Sequence, residues 1–251
     1  RVRWMIPQHD FLVLTRRHEW QLEPFTFDLP GGTRVSVWDT GVLCLEPAKG
    51  ADDRPGGRKD IVLSCGIHGN ETAPIEICNQ LKAAGKDKAS VYVMMGELSN
   101  QAAVQRTADI HDVMAAGKCA VELTIIDEQT ANWSRDQAQT LMTNWLSTGT
   151  AFDAVVANND ESAIGAIQAM KASGIDMASV VVGGVDATQD ALAAMAAGDL
   201  DVTVFQNAAA QGSGALDAAT KLAAGEAVDQ KVYVPFELVT PANVADYLAK
   251  N

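Results

Sequence analysis

The chain has 251 residues, 47% hydrophobic and 20% charged, with a net charge of −13. That is enough apolar mass for one large core or two small ones, and no apolar run approaches the ~20 residues of a membrane-spanning helix. The acidic balance excludes nucleic acid as a partner, because phosphate contacts need a basic face.

Residues 1–30 carry no sustained period. Arg34–Asp39 alternates like a half-buried strand, and Val42–Glu46 follows across Thr40-Gly41, which predicts a β-hairpin. A polar, Gly-rich loop leads to the apolar run Ile61–Cys65, read as a buried strand. Gly66-Ile67-His68-Gly69-Asn70-Glu71-Thr72-Ala73-Pro74 comes next, before a helix over Ile75–Ala84. The glycines allow a sharp turn that brings His68 and Glu71 to the strand's end, where an imidazole and a carboxylate suit zinc. By spacing alone the two read more often as ordinary polar loop residues.

The string from Ile61 to Ile77, with Phe11–Thr15 and the hairpin ending Gly41–Glu46, resembles the zinc amide hydrolases of the succinylglutamate desuccinylase/aspartoacylase family. The resemblance spans residues 8–80, about the first quarter of such an enzyme. It implies that His68 and Glu71 are zinc ligands. It also implies a third histidine ligand, a general-base glutamate and an Asn-Arg substrate motif further on. Beyond residue 71 the one histidine is His111, within a predicted helix, and Glu122 sits on a strand without the expected surroundings. Zinc catalysis needs three protein ligands and an open position. The expectation is therefore an incomplete zinc site and an inactive hydrolase.

From Lys88 the pattern becomes regular. Strands are predicted at Val91–Met95, Val121–Asp127, Val155–Ala157, Ser179–Val185, Val202–Phe205 and Val232–Val234. Helices fall between them at Gln101–Ala116, Ser134–Leu146, residues 160–173, Gln189–Ala197 and Ala208–Ala224, with a terminal helix near Val244–Lys250. Strands alternating with helices make an α/β fold with a parallel, doubly wound sheet. In such sheets ligands bind at the carboxyl edge. There the chain places Asn159, Asp186 and Gln206, with Trp133 nearby.

This part resembles the periplasmic sugar-binding proteins of ABC transporters, of the ribose/inositol/rhizopine type. The residues that carry it are 93–107, 128–138, 157–170, 183–212 and 234–247. The resemblance implies that Arg106, Trp133, Asn159, Asp186 and Gln206 line a sugar site. It further implies a monosaccharide or inositol ligand, a transporter permease as partner and a periplasmic location. Asp and Arg suit vicinal hydroxyls, Asn and Gln both donate and accept, and Trp stacks on a ring's C–H face. The same residues also read as a turn aspartate, a core tryptophan and a surface helix arginine. Family members have a second lobe that closes over the ligand; the hydrolase-like stretch stands in its place here, so binding is expected to be weak.

Two domains are therefore expected, 1–85 as a truncated hydrolase-like segment and 86–251 as a sugar-binding lobe, with the chain as a whole a chimera. Charge divides the same way: residues 1–85 hold 10 Lys/Arg against 11 Asp/Glu, and residues 86–251 hold 9 against 21. One βαβ unit, from 61–65 through the helix to 91–95, is expected to form across the join. Helix 208–224 must find a partner in the first segment or leave its apolar face exposed. The cysteines, Cys44, Cys65, Cys78 and Cys119, include no CxxC pair, so neither a disulfide framework nor a cysteine zinc site is expected. Cys65 and Cys78 should pack as small hydrophobes. Arg1-Val2-Arg3-Trp4 leads into no signal-peptide pattern, which tilts the expected location toward the cytoplasm.

Overall fold

The computed structural model describes residues 73–229 and 232–250, together with the backbone of strands β1 (Phe25–Asp28), β2 (Arg34–Val37), β3 (Val42–Glu46) and β4 (Leu63–Ser64). It falls into two compact units, residues 1–66 with 207–234 and residues 67–206 with 235–251.

In the first unit the expected hairpin forms, with Arg34 opposite Glu46 and Val37 opposite Leu43. β1 extends it on one side, Phe25 opposite Val37. Four residues of alternation are too few to stand out in a stretch with no period. β4 pairs antiparallel with β3, Leu63 opposite Leu43, on the sheet's other side. The βαβ unit expected across the join is thereby corrected. A short apolar run signals a strand but not which open edge it will take. The Ala-rich helix of this unit spans Ala208–Ala224, as expected, and leaves Leu216 and Leu222 exposed.

The second unit is built on a parallel sheet in the order β6-β5-β7-β8, with β5 at Lys88–Met95, β6 at Glu122–Thr130, β7 at Ala154–Ala157 and β8 at Val181–Gly183. β9 (Thr203–Phe205) continues it through the parallel bridges Gly183–Val202 and Asp186–Phe205. The helices are α1 (Ala73–Ala83), α2 (Gln101–Ala115), α3 (Arg135–Ser147), α4 (Asp160–Ala172) and α5 (Gln189–Ala196); α6 is the helix of the first unit just described. This is the α/β architecture the alternation predicted.

Period two along β5 divides the core. Val91 and Val93 point to one face, where Ala73, Ile77 and Leu81 of α1 and Ile110 of α2 pack with Val156 and Val202. Tyr92 and Met94 point to the other, against Met142 and Trp145 of α3 and Ile167 and Met170 of α4. There Tyr92 stacks on Trp145 with ring centres 4.3 Å apart. The loop between α1 and β5 is tied down at Lys86, whose ammonium lies 2.7 Å from Asp153; the other oxygen of that carboxylate accepts from the Ser90 amide.

Two expectations near the carboxyl end are corrected. The strand read at Val232–Val234 lies instead at Glu237–Val239 (β10), antiparallel to β9. Val232 and Tyr233 are exposed, whereas Val239 is fully buried, so burial chose the later segment over β propensity. The terminal helix reduces to a single 3-10 turn at Val244–Asp246. Asn243, its natural cap, spends its side chain on the Thr240 amide and the Leu238 carbonyl.

The cysteine expectation is corrected as well. Cys78 on α1 is bonded to Cys119 in the turn before β6, across a sequence separation of 41. Cys78 packs in the core, but as half of a disulfide. Spacing could not reveal a pair that meets only once the two helices are laid on one sheet face. Cys44 lies on β3 with no side chain described, and Cys65 lies outside the described residues. Closing a loop of that length should stabilise the fold by about 4 kcal/mol in the chain-entropy account. Denaturant melts of oxidised protein and of Cys78→Ser should differ by an amount of that order. Coincident curves would count against the bridge.

Candidate functional site

The carboxyl ends of β5 to β9 converge in the second unit, and every candidate sugar-site residue sits there. Each strand runs into a polar loop that caps the next helix. Asn100 caps α2, Ser134 caps α3, Asn159 caps α4 and Thr188 caps α5, each side chain accepting from an amide of the first turn.

Arg106 lies on the first turns of α2 and is 6% exposed. Its Nη1 donates to the Asn158 carbonyl at 2.6 Å and lies 3.6 Å from Asp186 Oδ1. The guanidinium also sits 5.7 Å from the Trp133 ring centre, a cation–π distance. Gln206, just past β9, donates from its side-chain amide to Asp186 Oδ1. Asn159 donates from Nδ2 to the Trp133 carbonyl at 3.3 Å, while its Oδ1 accepts from the Ser162 amide. The five residues thus form one connected cluster. Trp133, Asp186 and Gln206 keep partial exposure; Arg106 and Asn159 are buried behind them. The Asn159 oxygen is committed to capping α4 and its amide to the Trp133 carbonyl, which leaves the second amide hydrogen to offer.

The backbone is unusual at the same place. Among the described residues, the non-glycine residues with positive φ are Asn132 (51°), Trp133 (62°), Asp186 (123°) and Ala187 (53°). All four lie in the loops that present the cluster. Such conformations are costly and persist where surrounding contacts enforce them. Gly96 supplies one of those contacts: a Cβ there would lie 2.2 Å from the Trp133 ring, so the indole needs a glycine floor.

Residues not singled out from the sequence support the cluster from below. Asn158 Oδ1 accepts from the Gly96 amide and the Thr107 hydroxyl, both at 3.1 Å. Asp160, fully buried, accepts from the Thr203 hydroxyl at 2.7 Å and the Thr188 amide at 2.8 Å. The run Asn158-Asn159-Asp160 was the available signal, because three polar residues after a buried strand require partners. Arg135 forks onto Glu161 with two bonds of 2.8 Å and reaches Asp190 at 2.7 Å, joining α3, α4 and α5.

Burial pushes the Asp186 carboxyl up to about 6, against the opposing pull of Arg106 and the Gln206 hydrogen bond, with Glu161 adding to the rise. Burial likewise pushes Asp160 up to about 7; the Thr203 hydrogen bond opposes this, and the neighbouring Asp186 charge adds to it.

His68 and Glu71 lie outside the described residues. The two later residues weighed as further members of a zinc site are engaged elsewhere, His111 with Glu128 at 2.8 Å and Glu122 with Lys88 at 2.7 Å. Among the described residues no three His, Cys, Asp or Glu side chains come together to hold a metal.

A parallel sheet flanked by helices, with a strained polar cluster on its carboxyl edge, is the architecture of a ligand-binding lobe. The profile of the periplasmic binding protein domain matches residues 69–227, and the chain belongs to that family. It is 63% identical over 176 residues to a Rhizobium meliloti protein named as rhizopine-binding, covering 70% of this chain and 55% of that protein. An ABC transporter solute-binding protein from Bacillus halodurans with bound myo-inositol superposes with a TM-score of 0.64 at 40% identity, over 73% of this chain and 63% of that one. A second, separate likeness is to the succinylglutamate desuccinylase of Idiomarina loihiensis, 53% identical over 73 residues, covering 29% of this chain and 20% of that enzyme. The chain thus spans about half the length of its rhizopine-binding relative and a fifth of the desuccinylase.

The Asp160 carboxyl gives a pH test of this geometry. Its folded value lies above the unfolded 3.8, so its stabilising share is complete below about pH 4 and is lost as pH rises toward 7. Relative to wild type, Asp160→Asn should gain stability between pH 5 and pH 8, read by urea denaturation at both. A constant difference between the two proteins would contradict the buried, proton-holding carboxyl.

Proposed function

We propose that the chain binds a small neutral polyol, a monosaccharide or an inositol, as a partial substrate-binding protein of an ABC transporter. The observation that carries this reading is the Asp186–Arg106–Trp133–Gln206 cluster. It offers a carboxylate and a guanidinium for paired hydroxyls, an amide to orient them and an indole face for the ring. Membership of the family and the rhizopine and myo-inositol names of its relatives support that ligand class. The family also supports a periplasmic location and a transporter permease as partner. No described helix is long and apolar enough to cross a membrane.

The affinity should be low, with a dissociation constant on the order of 1 mM, because a desuccinylase-like stretch stands where family members carry the lobe that closes over the ligand. Calorimetry with myo-inositol and ribose is the first test. Asp186→Ala should weaken binding about tenfold or more, since it removes charge-assisted hydrogen bonds worth about 1.5–3 kcal/mol. Affinity should also fall as pH drops below about 6, where a proton on Asp186 removes both the acceptor charge and the pairing with Arg106. A folded protein that gives no heat with any of these ligands would sink the reading.

The desuccinylase likeness supports a second reading of the first segment. Residues 1–85 are the amino-terminal part of a zinc amide hydrolase joined to a sugar-binding lobe at 86–251. His68 and Glu71 would supply two ligands to zinc, and hydrolysis of an N-acyl amino acid would need a third. Dialysed protein should therefore retain well under one zinc per chain. Stoichiometric zinc, abolished by His68→Ala, would mean that the site is complete.

A further inference from the structure

One buried pair, Asp160 and Thr203, holds three residues of the turn that carries Asp186. The Asp160 amide donates to the Val185 carbonyl at 2.8 Å. Asp160 Oδ2 accepts from the Thr188 amide at 2.8 Å, and Oδ1 accepts from the Thr203 hydroxyl at 2.7 Å. That hydroxyl oxygen in turn accepts from the Ala187 amide at 3.1 Å. The amide of Asp186 itself donates to the Val204 carbonyl at 2.9 Å. Val185, Ala187 and Thr188 are thereby fastened to Asp160 and Thr203, and between them the Asp186 carboxylate meets Arg106 and Gln206.

This fastening coincides with the positive φ of Asp186 and Ala187. Neither residue favours that region by itself, and it takes external bonds to keep two in succession there. Gly184 completes the fit: a Cβ at that position would lie 2.4 Å from Asp160 Oδ1, so the chain yields the space the carboxyl occupies. Asp160 and Thr203 are both wholly buried, and a carboxyl is costly to bury for packing alone. An apolar residue would fill the space but satisfy neither the Thr188 amide nor the Thr203 hydroxyl.

We propose that Asp160, acting with Thr203, is a positioning residue of the polyol site. It sets the conformation of the 185–188 turn and so the place of the Asp186 carboxylate, without touching ligand itself. The inference rests on the reading of Asp186 as a ligand-contacting residue. Asparagine at position 160 keeps the shape and one acceptor for the Thr188 amide; alanine keeps neither.

The test is a double-mutant cycle read with myo-inositol by saturation-transfer NMR, which reports weak binding. Asp160→Ala should weaken affinity about tenfold, and Asp160→Asn should restore most of it. In an Asp186→Ala background, Asp160→Ala should have no further effect, because a residue that works through Asp186 has nothing left to position. Should Asp160→Ala fail to fold by circular dichroism, Thr203→Val with Thr203→Ser as rescue carries the same cycle. Unchanged affinity in Asp160→Ala, or a loss that persists undiminished without Asp186, overturns the positioning role. Wild-type binding that Asp186→Ala leaves intact overturns the site reading instead. No wild-type binding overturns the proposed function and this inference with it.

Discussion

A parallel sheet ends with its strands' last amides and carbonyls beyond the ladder, and each must find another partner or lose hydrogen-bonding free energy. In this protein that constraint organises everything on the carboxyl edge. Asn158 takes the Gly96 amide, Asn159 takes the start of α4, and Asp160 takes the Thr188 amide at the start of α5. Three consecutive side chains after one strand thus anchor the loops on both sides of it. The polar residues that close the fold are the frame on which the Asp186–Arg106–Trp133–Gln206 cluster stands.

Why a sequence reveals some of this and not the rest follows from the length scale of each signal. Strands β5 to β9 and the helices between them announce themselves through period and cap, which are local. The outward cluster was legible because Asp186 and Gln206 are polar residues at strand ends, where a solitary apolar sheet edge would not need them. Asp160 was overlooked because its partners, Thr188 and Thr203, are 28 and 43 residues away, and nothing local marks them as a set. The Cys78–Cys119 pairing and the choice of β3 as the partner of β4 are of the same kind. Each is a meeting of segments, and one-dimensional pattern carries no register between segments.

The place of α1 shows what the sheet demands of a neighbour. Ala73, Ile77 and Leu81 lie four residues apart on one helical face and bury against Val156, Val181 and Val202. Ile77 reaches so close to Gly183 that a Cβ there would lie 2.4 Å from its terminal carbon. This requirement is for an apolar stripe of the right width opposite a glycine, not for a particular ancestry. Under the chimeric reading, a helix from a hydrolase-like segment meets it because amphipathic helices are interchangeable at this level. The Cys78–Cys119 bond and the Lys86–Asp153 pair then secure the helix at its middle and just beyond its end.

Charge bears on which ligand chemistry would suit the proposed site. Arg106 is the cation at the centre of the cluster, and Asp186 faces it. Behind them, burial favours the protonated form of Asp160 up to about pH 7. Arg135 is already matched by two carboxylates, Glu161 and Asp190, and those bonds hold its guanidinium firmly charged. The balance around the site is therefore neutral to slightly negative. A phosphate or carboxylate ligand would have to displace Asp186 from Arg106 and then sit beside that displaced charge. A neutral polyol, as proposed, would do the opposite: its hydroxyls could donate to Asp186 and accept from Arg106 while leaving the pair intact. Trp133, fixed in its strained backbone by the Gly96 floor, adds an apolar face that an anion gains little from and a ring's C–H surface can use.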